Sequence, residues 1–148
     1  KLSCPGIVDN EGNWLVNRIA DWLCQSNVLT DLYGDNMHVE VIKRCAQIPR
    51  FLGLRSRLTN DDCALIWQSF KGKHESFRKH IFDAIAEIVD CANNEQVVEF
   101  WRLISSTPAE EIDSHFVSFV ATFTEHALKR ALNHRNNVNN EYVRKQDQ

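Results

Sequence analysis

Glycine and proline are scarce, with five Gly and three Pro among 148 residues. That excludes collagen-like and low-complexity segments and disfavours a turn-rich sheet. Basic excess is also lacking: 17 Lys and Arg stand against 20 Asp and Glu, for a formal charge of −3. The general attraction that nucleic acid and acidic membranes exert on basic proteins is therefore missing. No run approaches the roughly 20 apolar residues that a bilayer-spanning helix needs, because charges interrupt every apolar group. Neither nucleic acid nor membrane is expected as a partner. No CxxC pair occurs; Cys4, Cys24, Cys45, Cys63 and Cys91 are odd in number and widely spaced. This pattern suits reduced thiols and a cytoplasmic protein, with the nucleus as second compartment. The start at Lys1 shows no secretory signal pattern, which points to a chain processed or cut from something longer.

Helical periodicity is what the sequence does have. Trp14, Leu15, Ile19, Trp22 and Leu23 place a first helix over Asn13–Ser26, after a loop containing Pro5, Gly6 and Gly12. Val28, Leu29 and Leu32 form a short apolar turn, closed where Gly34 can adopt the left-handed conformation. His38 to Gly53 reads as a helix kinked or split at Pro49, which lacks a backbone donor. Thr59 to Asp62 has capping-box chemistry for a third helix with apolar face Cys63, Ile66, Trp67 and Phe70. Gly72 then marks a turn.

A fourth helix, His74 to Cys91, carries the stripe Phe77, Ile81, Ala84, Ile85, Ile88 and Val89. Asn93 or Asn94 caps a fifth through Val97, Val98, Trp101 and Ile104. Thr107-Pro108-Ala109-Glu110 looks like a strong start for a sixth, with Thr107 as cap and Pro108 at the first helical position. Its ridge from Ile112 through Phe116, Phe119, Val120 and Phe123 runs to about Asn133. The chain thus divides into one helical domain, 1–133, and a polar tail, 134–148, where fraying is expected. The fold class is all-α, made of antiparallel helical hairpins. A closed bundle and an armadillo- or HEAT-like α-solenoid segment both satisfy the pattern, and no exact repeat decides between them.

Chemistry has no visible home. Cys45 and Cys63 sit on apolar faces, where a thiol behaves as a small hydrophobe. The pairs His74/His80 and His126/His134 lack the one-turn spacing of a helical zinc site. Asp61-Asp62 and Glu110-Glu111 open helices, where the helix dipole explains them. With no phosphate-cradling Gly-rich loop and no nucleophile elbow, neither cofactor nor metal is expected. Trp67, Trp101 and the phenylalanines at helical spacing read as core. The basic residues Lys71, Lys73, Arg78 and Lys79 form the densest charged cluster, beside a second run that includes Lys129, Arg130 and Arg135. A solvated face accounts for either; as a protein-binding surface, Lys73, His74, Arg78 and Lys79 are the candidates.

One stretch is more specific. His38-Val39-Glu40-Val41-Ile42-Lys43-Arg44-Cys45 is followed by Phe51-Leu52, Arg57-Leu58-Thr59, Leu65-Ile66-Trp67, Gly72-Lys73-His74-Glu75 and Ile81-Phe82-Asp83. This series resembles the helical region that precedes the catalytic domain in very large ubiquitin-specific proteases of the fat facets type. The resemblance covers about a third of the chain and implies an armadillo-like array in which Leu58-Thr59, Ile66-Trp67 and Lys73-His74 belong to two successive helices. It also implies a parent cysteine protease with its triad elsewhere, since none of the five Cys here lies in a Gly- and Asn-rich box. The expected role is a non-catalytic scaffold that positions substrates or adaptors for deubiquitination. A free-standing helical adaptor and a small Cys–His hydrolase are the alternatives. An open array would also expose apolar faces at its ends and self-associate through them.

Overall fold

The computed structural model describes residues 8–35 and 37–146, with side chains described over 12–35 and 37–135. Among these residues there are eight α-helices and one 3-10 turn, and no strand. The helices are α1 (Val8–Gln25), α2 (Val28–Tyr33), α3 (Val39–Cys45), α4 (Gln47–Leu54), α5 (Asn60–Gln68), α6 (Glu75–Val89), α7 (Asn94–Ser105) and α8 (Ser114–Gln146). Cys4, Pro5 and Gly6 lie outside the described residues.

Side-chain caps set several helix starts. The Thr59 hydroxyl accepts from the Asp62 N–H at 3.1 Å and the Asp62 carboxylate accepts from the Thr59 N–H at 2.9 Å, closing the expected capping box of α5. Asn93 accepts from the Gln96 N–H at the head of α7, and His74 Nδ1 accepts from the Ser76 N–H at the head of α6. Gly72, at φ +71°, supplies the left-handed turn between α5 and α6.

Four boundaries differ from the sequence expectation. Helix α1 starts at Val8 and carries Gly12 within it, despite a helical cost of about 1 kcal/mol. The break near Pro49 falls at Ala46, three residues early. Beginning α4 at Gln47 puts Pro49 in the first turn, where its missing N–H would be unpaired anyway, and frees its ring from the carbonyl of Cys45. Gly34 ends α2 in extended rather than left-handed backbone. It is required there for a different reason: a Cβ would stand 2.4 Å from the Thr30 carbonyl oxygen.

The largest correction is at Thr107-Pro108. The Ser106 and Thr107 hydroxyls turn back to donate to the Leu103 carbonyl at the end of α7, Pro108 is extended, and only a 3-10 turn, Ala109–Glu111, follows. Glu110 and Glu111 therefore lie within this turn and do not open the long helix. That helix, α8, is capped instead by Asp113, which accepts from the Phe116 N–H at 2.8 Å. Its backbone stays helical to Gln146, beyond the expected end near Asn133.

The helices stack in two rows. Helices α2, α5 and α7 form one, while α3 with α4, α6 and α8 form the other; α1 leans on α2, and α5 touches α6 across the rows. Among the described residues no packed face joins α1 and α2 to α7 and α8, so the rows stay open. This is a solenoid, not a closed bundle.

Polar bonds between successive layers reveal the repeat that the residue identities hide. Arg57 binds Asp21 across 36 positions, Asn60 binds Glu95 across 35, and Arg78 binds Asp113 across 35. Asp90 with His126 and Asn94 with Arg130 are each separated by 36. Aligning α5 and α7 on their caps matches Ile66 with Phe100, Trp67 with Trp101 and Phe70 with Ile104. Chemical type is kept at these places, but identity is kept only at the tryptophans.

The core is aliphatic in the α3 to α6 part and aromatic where α5 and α6 meet α8. Phe82 lies at the aromatic centre, stacked on Phe119 at 4.2 Å with a 12° interplanar angle. Trp67 of α5, Phe70 of the turn that follows it and Phe116 of α8 close over it. Burying these rings removes the largest apolar side chains from water and adds edge-on and offset ring contacts.

Candidate protein-interaction site

The four residues singled out as a binding surface gather around the head of α6, but they occupy different environments. Arg78 is a bolt between layers. Its guanidinium donates to the Asp113 carboxylate at 2.7 Å and to the Glu111 carbonyl at 3.0 Å. It also lies over the Phe82 ring at 5.2 Å and the Phe116 ring at 6.0 Å, an arrangement suited to the planar guanidinium. The Asp113 carboxyl is held below its ordinary value, first by the Phe116 backbone N–H and then by Arg78. These bonds explain why α8 starts where it does.

His74 is engaged in capping α6 through Ser76. Lys73 reaches the Asp35 carbonyl at 3.5 Å, at the limit of a hydrogen bond. Lys79 is exposed and enters no ion pair among the described residues. Three of the four, His74, Arg78 and Lys79, share a shallow hollow of about 270 Å³ with Glu75 and His115. Lys73 lies on the other side of Arg78, in a second hollow of about 280 Å³ with Lys71, Glu110 and Glu111. The first hollow is continuous through Lys79 and His115 with a groove of about 190 Å³ between α6 and α8. Phe82 and Phe119 form its floor, and Asp83, Ser118 and Thr122 line its sides. His115 is tethered to Glu75 at 2.7 Å. One free ammonium beside an apolar floor and hydroxyls can hold a polypeptide.

Three of the described thiols are disfavoured as thiolates. Burial pushes Cys63 up to about 12, with Asp62 and Glu99 adding to the rise. Cys24 and Cys91 are also raised, chiefly by burial, and Cys91 donates to the Arg50 and Ile88 carbonyls at 3.3 Å. Cys45 is half-buried, and Cys4 lies outside the described residues. His126 pairs with Asp90 at 2.9 Å. No group of three metal-binding side chains assembles among the described residues, and none of the described helices is long and apolar enough to cross a membrane.

The groove itself was not legible in the sequence. Phe82 lies outside the single stripe read from α6, because α6 is a middle helix of its row and is covered on two sides. Trp101 also departs from expectation: it stacks on Phe123 at 6.3 Å yet remains 50% exposed.

Stacked helix pairs joined by bonds one layer apart define an armadillo-like α-solenoid. The family model described as the UBP24/USP9X/USP9Y ARM repeat matches residues 7–116. The chain belongs to this family, a group of helical repeats in large ubiquitin carboxyl-terminal hydrolases. It is 27% identical over 127 residues to ubiquitin carboxyl-terminal hydrolase puf of Drosophila melanogaster, covering 86% of this chain and 3% of that protein. Over 118 residues it is 30% identical to the probable ubiquitin carboxyl-terminal hydrolase FAF of the same species, covering 78% and 4%. Over 119 residues it is 31% identical to ubiquitin carboxyl-terminal hydrolase 9X of Mus musculus, covering 79% and 4%. The chain therefore spans only a few per cent of the length of these relatives. No solved structure matches it.

Proposed function

We propose that this chain is a non-catalytic scaffold of a very large cysteine-type deubiquitinase, holding protein substrates or adaptors for a hydrolase domain outside these residues. The observation that carries this reading is the family match over residues 7–116, on a fold whose surface offers a binding groove and in which burial shifts Cys24, Cys63 and Cys91 away from the reactive thiolate. The cytoplasm is its proposed compartment, with the nucleus second. Binding is assigned to the groove between α6 and α8 and its rim at Lys79 and His74, with an amphipathic polypeptide carrying a carboxylate as the fitting ligand. Arg78 and Lys73 support that rim from behind. Self-association through the ends of the solenoid belongs to the same reading.

An antibody raised against the chain tests the parentage. It should detect a very large band in lysate of the source cells, and that band should shift with a covalent ubiquitin-based activity probe. The 148-residue chain alone should not hydrolyse ubiquitin conjugated to a fluorogenic leaving group. A small band that ignores the probe would replace the deubiquitinase reading with that of a free-standing adaptor.

A further inference from the structure

The Thr107-Pro108-Ala109-Glu110 motif, which fails as a helix start, leaves its threonine nearly unused. The Leu103 carbonyl at the end of α7 already accepts from the Ser106 hydroxyl at 2.8 Å, and the Thr107 hydroxyl adds only a second bond at 3.4 Å, a long distance for a hydroxyl donor. Freeing the Thr107 hydroxyl therefore leaves no acceptor unpaired. Thr107 is also the one Ser or Thr in the sequence that is followed by proline.

The backbone around it is open to another protein. Residues 106–113 lie outside the α-helices, with Ser106 and every residue from Pro108 to Asp113 exposed and Thr107 partly so. Pro108 stands at φ −60° and ψ 147°, in the polyproline region, and a residue before proline is steered towards extended backbone. This exposure does not depend on where the chain stops. Counting from the caps Thr59 and Asn93, Thr107 corresponds to Lys73 of the preceding layer. There residues 71–75 stay exposed although the following layer is already in place, bonded alongside through Arg78 and Asp113.

We propose that Thr107 is a phosphoacceptor for a proline-directed Ser/Thr protein kinase. Such a kinase seats the residue after the acceptor against an apolar surface, where a ring without an N–H leaves no donor unpaired. In the transfer the Thr107 Oγ1 bonds to the γ-phosphorus of ATP as the bond to the β–γ bridging oxygen breaks. ADP leaves, and the hydroxyl proton passes to the catalytic aspartate of the kinase. The assignment holds equally for a segment of a deubiquitinase and for a free-standing adaptor.

The product carries a charge of about −1.5 to −2 at the C-terminal end of α7, the negative end of its dipole. Glu110 and Glu111 follow closely in the same turn and repel it, while Lys71 and Lys73 share a hollow with those carboxylates, which already offset them. Repulsion loosens the turn that carries the Glu111 carbonyl and Asp113 to Arg78, and with it the Asp113 cap on the Phe116 N–H. His115 and Ser118, which line the α6–α8 groove, stand just inside that helix start.

Incubating the 148-residue chain with magnesium-ATP and, in separate reactions, a mitogen-activated and a cyclin-dependent kinase tests the proposal, with sites mapped by mass spectrometry. A single phosphate on Thr107 is expected. Thr107→Ser should still accept it and Thr107→Ala should not. Pro108→Ala should slow the transfer at least about tenfold, the scale of one lost specificity contact. Circular dichroism should show all three variants as helical as the wild type. In the phosphorylated chain, amide exchange at Phe116 should quicken about fivefold, which is what losing one helix cap amounts to. No incorporation with either kinase, incorporation only on other residues, or a Pro108→Ala chain modified at the wild-type rate would overturn the acceptor assignment. Unchanged or slower exchange at Phe116 would overturn the effect on α8, slower exchange meaning that Lys71 and Lys73 hold the phosphate instead.

Discussion

Replacing Phe82 by Ala should destabilise the chain by about 4 kcal/mol. Phe-to-Ala changes in cores cost about 3–5 kcal/mol, depending on how far the neighbours can collapse. Collapse is restricted here. Phe82 is 4% exposed and is touched on one side by Trp67 of α5 and Phe70 of the turn after it, on the other by Phe116 and Phe119 of α8. Those rings are fixed by helices of two layers, so neither side can fill the space without parting from its own layer, and the offset stack with Phe119 is lost as well. Against a total stability of roughly 5–15 kcal/mol for an ordinary domain, such a loss is large. Urea unfolding followed by far-ultraviolet circular dichroism should show the midpoint falling by about 2 M, for a slope near 2 kcal/mol/M. The transition should also broaden or split, because the substitution loosens the junction between neighbouring layers and a solenoid's cooperativity passes through such junctions. A loss below about 1 kcal/mol with an unchanged slope would refute the argument, since it would mean that α8 is held by contacts away from this ring.

Arg78 and Lys79, adjacent in sequence, should separate cleanly. Arg78→Ala should destabilise by on the order of 1 kcal/mol through its lost ring contacts, while Lys79→Glu should stay within about 0.5 kcal/mol, both read from thermal melts. Thr59→Ala should cost about 1 kcal/mol by opening the α5 cap, measured by the same urea titration. The Asp113 carboxyl is depressed from its ordinary 3.8, so as pH falls the unfolded chain takes up this proton first. Its stabilising effect is complete above that value and is lost as pH drops through the folded-state pKa, a dependence that Asp113→Asn should reduce in acid-unfolding curves. Thiol labelling at neutral pH with peptide mapping should modify the exposed Cys24 well before Cys63, which should react only on unfolding.

The fold class was legible because amphipathic periodicity and capping chemistry are local. Thr59, Asn93 and His74 stand at helix starts as their side chains dictate. What failed was set by neighbours. The Thr107-Pro108-Ala109-Glu110 signal was the best-formed start in the sequence, yet Arg78, 35 positions away, grips Asp113 and helps fix the cap there. The stripe of α1 was read only as helical, and its tryptophans face outward because no described helix lies over them. Only the open architecture decides that, and periodicity is blind to it. The four proposed contact residues gather at the head of α6. The sequence could not distinguish the free Lys79 from the committed Arg78, because a bonded guanidinium and a solvated ammonium carry the same letter class.

The side-chain bonds one layer apart also bear on how the chain is made. Partners such as Asp21 and Arg57, or Asp90 and His126, emerge from a ribosome within 36 residues of each other. At synthesis rates of about 5–20 residues per second, each helix can meet its partner within seconds, and none must wait for the far end. A polypeptide many times this length could fold by adding layers in the order of translation, each fresh apolar face serving briefly as the seed for the next. Its tolerance to growing long is therefore written into the spacing of those bonds.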